Sequence, residues 1–137
     1  MEPNSQLAWI LQQGCCCSEA LVRLGLWMKG VEDPLLSQAS SGLCNGMHSG
    51  FACGALAGGC LLLSLFHPGE AAREMIPELC EWFDCTYGMT YGSVNCEDIR
   101  GNSPGNTMER CRPIVLAVGE KCVELLRVNQ LWEEPIC

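Results

Sequence analysis

Positive charge is scarce in this chain. Eight Lys and Arg stand against 16 Asp and Glu, for a formal charge of -8. Nucleic acid and anionic membrane surfaces are held by clustered cations, so the composition excludes both as expected partners. Histidine is nearly absent, with only His48 and His67. Neither stands at a metal-ligand spacing, and each reads as a loop or capping residue. No two cysteines are three residues apart, so the chain has no C-x-x-C. That removes the thioredoxin motif, c-type haem attachment, the ferredoxin run and the usual zinc knuckles. The first ten residues, MEPNSQLAWI, carry no Lys or Arg. They lack the basic start of a secretory signal, and the expectation is a cytoplasmic protein. The uncharged run from Phe51 to Phe66 is shorter than the ~20 residues a membrane-spanning helix needs, and reads as a buried core helix. No paired-carboxylate pattern is present, so the acidic residues read as a solvated surface.

What the chain has instead is cysteine, 12 in 137 residues. With 48% hydrophobic residues it can build a core, and its length fits one domain. In a reducing compartment, abundant cysteine points to metal ligation or redox chemistry more than to structural disulfides.

Apolar periodicity places most of the chain on helices. Leu7, Ile10, Gly14, Cys17, Leu21, Leu24 and Met28 recur at steps of three and four, with Gly14 a point for a kink or restart. A short helix is expected around Leu35–Ser40, followed by a Gly-rich loop. Residues 51–66 form the apolar helix. Within it Gly54 and Gly58, like Ala55 and Gly59, are four apart and leave a flat face for a close neighbour, within the chain or across a homodimer. Residues 70–84 form a third long helix, kinked or split at Pro77. Residues 86–106, rich in Gly and Pro, read as a long irregular stretch. A last helix begins between Thr107 and Pro113, with Cys111, Val115, Val118, Cys122 and Leu125 on its inner face. Alternating β-type runs are missing. The expectation is an all-α, compact single-domain bundle of four to five helices over residues 1–137, with a Gly-rich Cys-bearing loop. Trp9, Trp27, Trp82 and Phe83 fall at helical positions and read as core.

Four segments carry a more specific pattern. Cys17 precedes Ser18-Glu19-Ala20. Cys53-Gly54-Ala55-Leu56-Ala57-Gly58 is a Cys-Gly-Ala-x-x-Gly block. Tyr91-Gly92-Ser93-Val94-Asn95-Cys96 and Arg110-Cys111-Arg112 follow. In order and spacing these resemble the C-GCAxxG-C-C family of redox-active-type proteins, small domains with four signature cysteines. The resemblance runs from about residue 7 to residue 126. A literal reading of the family name wants Gly-Cys-Ala; here the order is Ala52-Cys53-Gly54-Ala55, so the Cys-Gly-Ala form is the one matched. Carried over, the signature cysteines are Cys17, Cys53, Cys96 and Cys111. The resemblance implies redox activity through them and supplies no substrate.

The residues themselves lead to the same four. Cys17 and Cys111 lie on inner stripes, Cys53 opens the small-faced helix, and Cys96 lies in the Gly-rich stretch. Arg110 and Arg112 flank Cys111, which is therefore expected to be the most acidic thiol. Gly54 and Gly58 would let a bound group approach closely. Four convergent thiols suit an iron-sulfur cluster or another metal, and two pairs of them equally suit reversible disulfides. The missing C-x-x-C tilts the expectation to a metal or iron-sulfur centre serving electron transfer with a redox partner protein. The alternatives are a zinc-stabilised interaction domain and a soft-metal or metalloid binder. The last is suggested by the run Cys15-Cys16-Cys17. Cys15, Cys16 and Cys44 are possible accessories to the site. Cys60, Cys80 and Cys122 read as packing residues, and Cys85 and Cys137 as exposed.

Overall fold

The computed structural model describes residues 2–134. The reading of Cys137 as exposed lies outside them. Among the described residues the fold is all-α, with seven helices and no strand. The expected four to five helices were too few because two breaks and one short helix carry weak periodic signals.

Helices α1 (Pro3–Gln12) and α2 (Cys17–Lys29) share one apolar stripe. They are separate because Gly14 takes φ +90°, a left-handed conformation that ends α1 and restarts the chain in a new direction. Gly30 at φ +68° closes α2 in the same way. Helix α3 (Pro34–Ser40) starts at Asp33, whose carboxylate accepts from the Leu36 amide at 3.1 Å. Helix α4 (Gly54–Phe66) is the apolar segment, and it lies in the middle of the bundle. No helix among the described residues is long and apolar enough to cross a membrane.

The next helix, α5, occupies residues 68–91. It runs through Pro68–Glu70, a π turn at Ala71–Met75, Ile76–Phe83, a second π turn at Asp84–Gly88, and Met89–Tyr91. Its first turn is capped by His67, whose Nδ1 accepts from the Glu70 amide at 3.0 Å. Pro77 lacks an amide hydrogen. It follows directly on the first π turn, where the hydrogen-bond register has already shifted, so the helix continues past it. The expected end near residue 84 and the irregular stretch from 86 are corrected accordingly, since the helix extends to Tyr91. Helix α6 (Cys96–Arg100) is also ordered within that stretch. Helix α7 covers residues 107–128, a π turn at Thr107–Cys111 leading into Arg112–Val128.

The small residues of α4 set its depth in the bundle. A Cβ on Gly58 would stand 2.7 Å from the Ser18 Cα, so α2 and α4 meet backbone to backbone there. A Cβ on Gly59 would meet Val118 at 2.8 Å and Leu79 at 2.9 Å, side chains of α7 and α5. Both small faces of α4 are thus packed within the chain, against α2 on one side and against α5 and α7 on the other. Leu7, Leu21, Leu24, Leu62, Leu63, Met75, Leu79, Phe83, Val118 and Leu126 fill the space between these helices and are fully buried. Phe83 lies in this core and Trp82 packs against it. Trp9 and Trp27 do not: they are 51% and 38% exposed. Their helical spacing puts them at the edge of the stripe, where α1 and α2 splay around an open groove.

Candidate functional site

Each of the four signature cysteines is delivered by a different helix near its N-terminal end. Cys17 is the first residue of α2, Cys53 the residue before α4, Cys96 the first residue of α6, and Cys111 lies in the opening turns of α7. Two of these segments are tied directly. Ala52 and Asn95 form an isolated antiparallel bridge, in which the Cys53 amide donates to the Val94 carbonyl at 2.9 Å and the Cys96 amide donates to the Phe51 carbonyl at 2.6 Å. This brings Cys53 and Cys96 side by side although 43 positions separate them in sequence.

The four side chains line one small cavity of about 50 Å³, closed by Ile99, Ile114 and Val115, with Asn45 and Arg100 at its polar edge. Cys53 and Cys96 are buried in it. Cys17 and Cys111 are half-buried and also line a larger adjoining groove of about 340 Å³, together with Cys15, Cys16 and Arg112. The cavity therefore has an inner pair of thiols and an outer pair that faces the way in. Gly54 allows this closeness, since a Cβ there would stand 3.3 Å from the Cys17 sulfur and 3.1 Å from the Leu43 carbonyl oxygen. Gly58, the other expected close-approach glycine, faces α2 and not the cavity.

Burial controls the electrostatics of the site. The Cys53 thiol is pushed up to about 12 by desolvation, although the amides of Leu56 and Ala55 point toward its sulfur. Cys96 is raised for the same reason, against a smaller opposing effect of Arg100. Cys111 is also raised, by desolvation and then by Cys17 and Cys96, with Arg100 and Arg110 opposing. This overturns the expectation that Cys111 is unusually acidic. Arg110 is engaged elsewhere: it donates to the Ile99 carbonyl at 3.2 Å and lies over the Tyr91 ring at 5.3 Å. Cys111 is also not at the first turn's open end, because α7 begins at Thr107.

The accessory cysteines take a different arrangement from the one expected. Cys16 and Cys44 are joined to each other in a disulfide, with Cα atoms 6.0 Å apart. As a bonded pair they are not thiolate donors to the cavity. Cys15 remains free and donates to Glu19 at 3.6 Å. Cys44 opens a turn in which Asn45, Gly46, Met47 and His48 all take left-handed φ, between 55° and 61°. Three of these are not glycine, at a cost of roughly 1–2 kcal/mol each. A Cβ on Gly46 would lie 2.3 Å from the Phe51 carbonyl oxygen, so this position requires glycine. The turn carries Asn45 to the cavity, where its Oδ1 accepts from Arg100 at 3.4 Å. Asn45 and Arg100 were missed from the sequence. The Asn-Gly step marks a left-handed turn, and Arg100 lies one helical turn after Cys96, so both left a signal.

Four thiols are the donor set of a zinc site or an iron-sulfur cluster. Among the described residues, however, no three His, Cys, Asp or Glu side chains stand close enough together to hold one metal ion. Buried protonated thiols around a gap can form a disulfide when a disulfide-bearing oxidant takes up two electrons and two protons, with no metal needed.

The family model for "Putative redox-active protein (C_GCAxxG_C_C)" matches residues 15–125. The chain belongs to this family. The match takes in all four signature cysteines. No curated protein and no solved structure matches the chain.

Proposed function

We propose that this family member is a thiol-disulfide redox protein that handles electrons in pairs through Cys17, Cys53, Cys96 and Cys111. The observation that carries this reading is the convergence of four helix starts, 94 positions apart at the extremes, on one cavity lined by these four sulfurs. Oxidation joins two of the thiols and releases two protons and two electrons. The outer pair, Cys17 and Cys111, is the pair that meets a disulfide-bearing or dithiol partner entering the 340 Å³ groove. The inner pair, Cys53 and Cys96, then exchanges with the outer one.

An iron-sulfur cluster or zinc bound by the same four thiols is the second reading, favoured by the all-sulfur donor set and by the convergence itself. It requires the four thiols to draw together and lose their protons, against the burial that favours the neutral form of Cys53, Cys96 and Cys111.

One preparation tests both. The protein is purified without oxygen and analysed for visible absorbance, iron, zinc and acid-labile sulfide. Free thiols are then counted and mapped before and after one equivalent of oxidised glutathione. The expected result is a colourless, metal-free protein that gains one disulfide among the four cysteines. Single Cys→Ser changes at those positions should redirect or abolish that bond. A brown protein with iron and sulfide, bleached by the same changes, would establish the cluster instead, and a colourless protein with one zinc a structural site. Unchanged thiols at all four positions would refute the dithiol reading.

A further inference from the structure

Resting on the reading of the four cavity thiols as redox groups, we infer that the Cys16–Cys44 disulfide is their internal exchange partner. It passes electrons between the open groove and the closed cavity. Three observations place it in that position. Cys16 is bonded in sequence to Cys17 and lines the groove, whereas Cys44 is fully buried, so the disulfide spans from the accessible side to the interior. The Cys17 sulfur and the Cys44 Cα each lie 3.3 Å from the point where a Cβ on Gly54 would stand, so the disulfide and the cavity meet across one glycine.

The third observation is Ser18, which is fully buried. Its hydroxyl donates to the Ser40 carbonyl at 2.7 Å and its oxygen lies 3.0 Å from the Cys44 sulfur. A hydroxyl has one proton, and the Ser40 carbonyl takes it. The Ser18 oxygen then offers a lone pair to Cys44. A disulfide sulfur has no hydrogen to donate to it, but a thiol does. The buried polar contact is completed only when the disulfide opens, and Ser18 is thus a positioning residue for the released Cys44.

The exchange balances within the chain. Cys17 gives up its proton and its sulfur attacks the Cys44 sulfur. A Cys17–Cys44 bond forms, the Cys16–Cys44 bond breaks, and Cys16 leaves as a thiolate that takes up a proton. Cys111 then attacks the Cys17 sulfur after losing its own proton. A Cys17–Cys111 disulfide forms, and Cys44 leaves, is protonated, and donates to Ser18. Two cavity thiols are oxidised, one disulfide is reduced, and two protons move from the first pair to the second. The reverse sequence carries electrons back to the cavity.

The test follows the order in which disulfides form. Fully reduced protein receives one equivalent of oxidised glutathione without oxygen. Samples are quenched with acid, alkylated with N-ethylmaleimide, and mapped by mass spectrometry. The expected record is a Cys16–Cys44 disulfide first, then a cavity disulfide growing at its expense. In Cys44→Ser the cavity disulfide should form at least tenfold more slowly. In Gly54→Ala the interposed methyl should leave the first phase unchanged and slow the second. If Cys44→Ser fails to fold by circular dichroism, the two phases of Gly54→Ala decide the matter. Equal rates of cavity oxidation in wild type and variant would overturn the exchange role and leave the redox reading of the four thiols standing. A Cys16–Cys44 disulfide that forms while the cavity stays reduced would overturn both.

Discussion

Replacing Gly58 by alanine tests the contact on which the whole site depends. The added Cβ would stand 2.7 Å from the Ser18 Cα, 3.0 Å from the Ser18 carbonyl oxygen and 3.2 Å from the Leu21 Cβ. Carbon atoms rest about 3.5–4.0 Å apart, so α2 and α4 must separate by roughly 1 Å. The atoms in the way are mostly backbone, which no side-chain rotation relieves. Overpacking of this kind costs about 1–3 kcal/mol, and rigid partners put it at or above the top of that range. Alanine returns about 1 kcal/mol of helix propensity. The net expectation is a loss of about 2 kcal/mol. Urea unfolding of the reduced protein should then show a midpoint about 1 M lower, with the slope unchanged. Gly42→Ala is the control, because nothing lies within 4 Å of its Cβ position, and it should change stability by less than about 0.5 kcal/mol. A Gly58→Ala midpoint equal to or above wild type would mean that propensity alone acts at this site, and the α2–α4 approach would be wrong.

Three further outcomes are expected. Cys53 titrates near 9 when exposed and is raised to about 12 in the fold, so folding favours its protonated form. Its contribution is intact below pH 9 and lost as pH rises from 9 toward 12, at about 1.4 kcal/mol per pH unit; other buried thiols add to the wild-type slope, so guanidine unfolding should show a slope shallower by about this amount in Cys53→Ala, and equal slopes would refute the burial of that thiol. Alkylation of the native protein, followed by peptide mapping, should modify the exposed Cys85 well before the fully buried Cys122, and rapid labelling of Cys122 would contradict its place between α4 and α7. Gly46→Ala meets the Phe51 backbone at 2.3 Å with φ at +61°, so it should cost more than 2 kcal/mol by thermal unfolding, and a neutral result would rule out the left-handed turn.

The helical class was legible because apolar spacing of three and four is set by the core that each face meets. The stripe from Leu7 to Met28 reads as one face, and α1 and α2 do bury it together. What the stripe does not encode is direction. Gly14 breaks it, and only the packing of α1 against α7 decides that the break is a turn and not a kink; a Cβ on Gly119 of α7 would lie 2.4 Å from Leu7. The extension of α5 past Pro77 to Tyr91 was illegible for a related reason. Proline signals a stop through its missing amide, and a π turn removes that cost without leaving any mark in composition. The four site cysteines were legible as a set from their motif blocks. Their contact was not, since it depends on a bridge between Ala52 and Asn95 that no local pattern announces.

The reading of Cys111 failed on magnitude, and the failure bears on how the site works. Two arginines flank it in sequence, and adjacency suggested an acidic thiol. A side chain next in sequence on a helix points away by about 100°, so Arg110 and Arg112 do not face the Cys111 sulfur directly. Burial acts on that sulfur whatever the neighbours do, and two further thiols add to it as soon as they ionise. The same holds for Cys53 and Cys96, so any one thiol that ionises makes the next harder to ionise. A cavity of this kind resists becoming a set of thiolates, and it releases protons most readily when each loss is matched by a new sulfur-sulfur bond that leaves no charge behind. Such burial disfavours thiolate ligation more than neutral disulfide formation, and this is the ground for the proposed exchange, in which the neighbouring disulfide would take the protons on its own sulfurs.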